Sequence, residues 1–114
     1  MSEAFLKRAV KKHFKASGHT VRMRRIRLGN AEIDGEALGV DGKRIAIEVK
    51  TITDDVVRGL GQLAEASAFG YNQAVLVTTL RNVKKIDEAV FRHYGWTLLG
   101  VDAKGEVHEI LRVL

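Results

Sequence analysis

The chain has 114 residues, 46% of them hydrophobic, and contains neither cysteine nor proline, so a single domain over residues 1–114 can bury its core without disulfides or thiolate metal sites. No apolar run approaches a membrane span or a signal-peptide core, and a cytoplasmic protein with no membrane partner is expected. The net charge is +5, but residues 1–27 hold nine Lys or Arg against the lone acid Glu3, or +8, and the remainder carries −3, an asymmetry that predicts a polyanionic partner and salt-sensitive binding.

Ser2 is placed to cap a helix over residues 3–16, with Gly18 as its stop. At roughly 100° per residue, Phe5, Leu6, Ala9, Val10 and Ala16 form the inward stripe, His13 falls in its middle, and Lys7, Arg8, Lys11, Lys12 and Lys15 cover the opposite face. That face is a candidate phosphate contact surface; a solvated lysine face is the competing reading. Residues 20–28, TVRMRRIRL, have strand character. Their apolar residues change phase between Met23 and Ile26, which predicts a bulge at Arg24-Arg25. Arg22, Arg24, Arg25 and Arg27 offer guanidiniums suited to phosphate contact, with protection of an edge strand as the alternative.

Residues 32–50, EIDGEALGVDGKRIAIEVK, alternate as the two arms of a hairpin. A three-residue loop over 40–42, with Gly42 in the left-handed position, pairs Ile33 with Val49, Gly35 with Ile47 and Ala37 with Ile45 on the buried face. The other face then sets Asp34 opposite Glu48 and Glu32 opposite Lys50, with Glu36 on the same side. Opposed carboxylates repel unless a cation lies between them, so this pairing predicts a hard, oxygen-seeking ion such as Mg²⁺.

Asp34, the hairpin, and Glu48-Val49-Lys50 at the end of an apolar strand resemble the PD-(D/E)xK nuclease superfamily. The flow of elements over residues 3–79 looks like the archaeal Holliday junction resolvases and related restriction-endonuclease-like domains. Ile33 stands where the superfamily's name has proline. The resemblance implies a Mg²⁺-dependent DNA endonuclease that hydrolyses phosphodiester bonds, its substrate a junction, flap, nick or plain duplex, and a homodimer able to cut two strands. It implies Asp34, Glu48 and Lys50 as catalytic residues, and Asp34, Glu48, the Val49 carbonyl and the helix residue Glu3 as metal ligands, with Mn²⁺ able to replace Mg²⁺. For Glu3, a helix-start acid favoured by the dipole is the simpler alternative. A non-catalytic DNA-binding module that retains the nuclease fold is the alternative for the whole chain.

Beyond the hairpin, Asp54 or Asp55 can cap a helix ending near Gly70, with Val56, Val57, Leu60, Leu63, Ala64 and Ser67 as its packed stripe and Arg58, Gln62 and Phe69 turned away. Gly59 and Gly61 each cost about 1 kcal/mol in a helix interior, and close backbone approach would explain them. Gln62 is an accessory site candidate that resembles the helical glutamine of some PD-(D/E)xK families, although Ala66 stands where a tyrosine follows it there. Residues 73–79 form a strand buried on both faces. Asn82 can cap a helix to Tyr94, with Ile86 and Val90 packed and Gly95 ending it, and strands over 96–102 and 106–110 join through the turn at 103–105. Residues 111–114 fit strand or helix. The order α-β-β-β-α-β-α-β-β predicts an α/β fold with a restriction-endonuclease-like mixed central sheet flanked by helices. His13, His19, His93 and His108 lack zinc-type spacing, and no nucleophile elbow occurs.

Overall fold

Residues 45–49 and 74–78 are buried without interruption, and strands this apolar must be covered on both faces. The computed structural model describes residues 1–51 and 56–111. In chain order they form helix α1 (Glu3–Ala16), strands β1 (Thr20–Arg22), β2 (Ile26–Leu28), β3 (Ala31–Ile33), β4 (Gly35–Leu38) and β5 (Arg44–Val49), helix α2 (Val56–Ala68), strand β6 (Gln73–Thr79), short helices α3 (Leu80–Val83) and α4 (Ala89–Tyr94), and strands β7 (Thr97–Val101) and β8 (Val107–Leu111). The main sheet runs β1-β4-β5-β6-β7-β8, with β2 and β3 forming a separate two-stranded sheet. β5, β6 and β7 are parallel and the remaining pairs antiparallel. This is the mixed sheet that the sequence predicts.

The sheet divides two cores. Leu6, Val10 and Phe14 of α1 pack on Ala37, Ile45, Ile47, Val49, Val75 and Val77. The opposite face gathers Ala46, Leu76 and Leu98 under Leu63 and Ala66 of α2, Val83 and Phe91. Burying Phe14 while leaving Ala16 exposed turns the α1 stripe slightly from the expected one. Its Ser2 cap is as expected, the hydroxyl accepting from Phe5 N at 3.1 Å.

The hairpin register is the expected one. Gly35 pairs with Ile47 and Ala37 with Ile45, and Gly39 N donates to Lys43 O at 3.0 Å across the loop of residues 40–42. Gly42 takes φ +81°, which its missing Cβ permits. The ladder stops at Gly35, however. Ile33 does not join Val49; it pairs with Ile26 and packs in the core under α2. Glu32 faces Arg27 rather than Lys50.

Other expectations are corrected. Residues 23–25 do not form a bulge within one strand: the chain leaves the main sheet there, and β1 and β2 belong to different sheets. The expected third helix is two short ones, and Thr79 rather than Asn82 is the first cap, its Oγ1 accepting from Asn82 N at 3.0 Å. Asn82 instead ties its Nδ2 to Thr51 O at 2.9 Å. The proposed caps Asp54 and Asp55 lie outside the described residues.

Helix α2 presents Val56, Gly59, Leu63 and Ala66 to the sheet, whereas Val57 is 78% exposed. Val56 and Leu63 of the predicted stripe are buried and Leu60 packs against the core, but Gly59 and Ala66 are buried where Val57, Ala64 and Ser67 were expected. A Cβ on Gly59 would meet Lys50 Cε at 3.0 Å, Leu76 Cδ1 at 3.1 Å and Glu48 Cγ at 3.5 Å. Glycine therefore brings the helix backbone close to β5. Gly61 faces open space, so close approach does not account for it.

Candidate active site

Strand β5 alternates across the sheet, sending Ile45, Ile47 and Val49 beneath α1 and Ala46 and Glu48 toward α2. Glu48 is 1% exposed, a severe placement for a carboxylate. Asp34 occupies the step between β3 and β4, where its backbone N donates to Ile47 O at 3.1 Å and its Oδ2 accepts from Val49 N at 2.7 Å. The side chain is thereby fixed beside the end of β5. Lys50 follows directly, its backbone N donating to Val77 O at 2.9 Å and its aliphatic stem lying near the Gly59 backbone.

These residues border one cleft of about 250 Å³, which Asp34, Glu48, Val49 and Lys50 share with Glu3, Gln62, Arg25, Glu32, Arg58 and Thr51. The candidate ligands, the candidate lysine and the accessory glutamine therefore share one cleft, although Glu3, Asp34 and Glu48 do not converge within 4.8 Å as a set of three ligands. Of the basic residues proposed for DNA, only Arg25 reaches the cleft. Arg8, Lys11, Lys12 and Lys15 lie along a shallow groove on α1, and Lys7 pairs with Glu3 at 2.9 Å. Arg24 and Arg27 are exposed, in the break before β2 and on β2. Arg22 lies on β1 opposite Glu36. Glu36 is drawn off elsewhere: its Oε1 accepts from Tyr71 Oη at 2.7 Å and pairs with Arg44 at 3.5 Å.

Burial, then the Asp34 carboxylate within hydrogen-bonding reach, push Glu48 from 4.5 up to about 9, against the pull of Lys50. Without a cation, then, Glu48 holds a proton at neutral pH. Its Oε2 is buried with no hydrogen-bond partner among the described residues, as is Gln62 Oε1. An acceptor stranded in this way is costly. A hard divalent cation beside Asp34 and Glu48 would displace the proton and satisfy the oxygen, so the donor set fits Mg²⁺ or Mn²⁺.

Arg58 was not foreseen as a cleft residue. Its i, i+4 relation to Gln62 was the available signal, since both share one helical face, but the misplaced α2 stripe turned that face toward solvent. A second group, Asp102, Glu106 and His108, brings its potential ligand atoms within 4.8 Å of one another at the β7–β8 turn. Asp102 already accepts there from Lys104 N, Glu106 N and His108 Nε2 at 2.9, 3.0 and 2.9 Å, contacts that depress its pKa, the His108 bond most. These bonds close the turn.

No protein-family model matches the chain, and no curated protein matches it. Among solved structures, a protein of unknown function from Silicibacter pomeroyi is similar over the whole of this chain and 73% of its own, at 19% identity and a TM-score of 0.71. A repair endonuclease from Pyrococcus abyssi is similar over 90% of this chain at 16% identity and a TM-score of 0.64, and this chain spans 47% of that protein. At such identities the likeness shows the fold, a mixed α/β domain of restriction-endonuclease-like architecture.

Proposed function

We propose that the protein is a Mg²⁺-dependent DNA endonuclease. The observation that carries this reading is the meeting in one cleft with Lys50 of Asp34 and buried Glu48, whose Oε2 has no hydrogen-bond partner among the described residues. Its architecture, similar to that of a repair endonuclease, agrees with it.

In this reading Asp34 and Glu48 hold the ion, with the Val49 carbonyl and Glu3 as further ligands. When bound, Mg²⁺ supplies Lewis acidity toward the phosphate and makes a hydroxide nucleophile accessible near neutral pH. The chain's own part is positional. Asp34, its Oδ2 clamped by Val49 N, is held at the edge of the cleft beside Glu48. Lys50 orients the attacking water and offsets the charge that grows on the phosphate. Water oxygen forms the new P–O bond, the bond to the leaving sugar oxygen breaks, and the leaving oxygen takes up a proton. Gln62, facing the same cleft, can hydrogen-bond that water or the phosphate. The exposed cations of α1, with Arg22, Arg24 and Arg27, hold flanking DNA. One chain brings one such site, so cutting both strands of a duplex or a junction would call for a symmetric dimer.

The test is cleavage of plasmid, duplex and branched DNA with and without Mg²⁺, comparing wild type with Asp34→Asn, Glu48→Gln and Lys50→Met. Each variant is expected to lose about 100-fold or more in rate while still binding DNA. Salt-sensitive binding with no cleavage of any substrate would replace the proposal with a non-catalytic DNA-binding module.

A further inference from the structure

The cleft holds two guanidiniums that general binding of DNA does not require. Arg25 comes from the break between β1 and β2, and Arg58 from the first described turn of α2, so they approach from different elements. Both border the space that contains Asp34, Glu48 and Lys50. Among the described residues neither takes part in an ion pair, whereas Lys7, Arg44 and Arg92 are each held by a glutamate. Gly59 explains why Arg58 arrives there. Because the helix backbone at 59 lies against Lys50 and Glu48, the preceding residue is carried to the edge of the carboxylates.

Charge makes the placement consequential. Glu3, Glu32, Asp34 and Glu48 all border the cleft, and although Lys7 pairs with Glu3, the carboxylates left charged oppose the approach of a phosphodiester unless cations face it. Hydrolysis then adds negative charge to the non-bridging oxygens as water attacks. Lys50 is one cation of compact, strongly hydrated form, while a guanidinium offers a fork of donors that matches two phosphate oxygens at once.

We propose that Arg25 and Arg58 grip the non-bridging oxygens of the phosphate that is cut, acting as catalytic residues distinct from the α1 cations, which hold neighbouring phosphates. This rests on the nuclease reading above and assigns the phosphate subsite within it.

The experiment is single-turnover cleavage of labelled duplex and branched DNA at saturating protein with Mg²⁺, with affinity measured separately by anisotropy in chelator. Wild type is compared with Arg25→Gln, Arg58→Gln, Arg58→Lys and the charge-matched control Lys43→Gln, which lies in the turn at the far end of β5. Arg25→Gln and Arg58→Gln should slow the saturated rate by about 30- to 100-fold, with affinity within about threefold because flanking phosphates dominate it. Arg58→Lys should recover part of the rate and Lys43→Gln should match wild type. Melting temperatures near that of wild type would exclude a folding defect as the cause. Wild-type cleavage with both glutamine variants equally fast at saturation would overturn this proposal alone, as would a loss confined to affinity. Failure of wild type to cleave any DNA would sink the nuclease reading beneath it.

Discussion

Glu48 shows how a single residue can make the site depend on its ion. The carboxyl is buried against Leu76 and α2, and its proton, held up to about 9, is the substitute for a cation. Since the folded-state pKa lies above the ordinary 4.5, this group's stabilisation of the metal-free fold is fully present below that value and is lost as pH rises toward 9. In chelator, wild type should therefore melt at a lower temperature at pH 8 than at pH 6, and Mg²⁺ should raise the melting temperature more at pH 8, where fewer protons compete for the oxygen. Glu48→Gln, with no proton to lose, should flatten that difference and abolish the Mg²⁺ response. Calorimetric melts at the two pH values decide it, and an unchanged slope in the variant would place the titration elsewhere. Asp34 makes a different demand. Its Oδ2 satisfies Val49 N, so Asp34→Ala would strand a backbone donor at about 1–3 kcal/mol. Asp34→Asn keeps an acceptor there, and its effect on cleavage can be separated from its effect on folding.

Helix α2 makes the same point one level up, because the two glycines on it have opposite surroundings. Gly61→Ala adds a methyl in open space and improves helix propensity, so it should stabilise by about 0.5–1 kcal/mol, roughly a 2–5 °C rise in melting temperature, with cleavage unaltered. Gly59→Ala gains the same propensity but presses on the Lys50 stem and on buried Leu76. It should slow cleavage about tenfold by displacing the lysine and should lack the stability gain. Equal cleavage by the two variants would show that Lys50 tolerates the displacement. This helix also marks where sequence patterning stops being informative. Alternation in residues 35–37 and 45–49, together with a glycine at 42, was sufficient for the register that brings Asp34 beside Glu48, because a slip by one residue would have buried charge. The same alternation could not reveal that Ile33 crosses to the other core, since a strand that changes partner at Asp34 keeps its period. Nor could it separate Val57 from Gly59 as the buried residue of α2: a stripe drawn through bulky side chains overlooks a face chosen for close approach. Residues 23–25 were misread for a related reason, as a phase change in apolar residues marks a bulge and a departure from the sheet equally well.

On the scale of the whole molecule, charge and cleft have a directional relation. Glu3, at the start of α1, borders the cleft, and the exposed Arg8, Lys11, Lys12 and Lys15 then follow the helix away from it. A 14-residue helix is about 21 Å long, which matches about six base pairs at roughly 3.4 Å per nucleotide on each strand. In the proposed reading, DNA is therefore held mainly to one side of the bond that is cut. Binding measured in chelator should weaken with a log–log salt slope of about −3 to −5 if α1 supplies most of the phosphate contacts. Lys11→Gln combined with Lys12→Gln should reduce that slope by about 2. Shortening a duplex on the α1 side of the cleavage point below about six base pairs should cost far more affinity than shortening the other side. Anisotropy titrations across a salt series, with duplexes trimmed from each end, test both expectations. A slope indifferent to the paired lysine changes would mean that the cationic face of α1 is a solvated surface and that DNA approaches the cleft along another path.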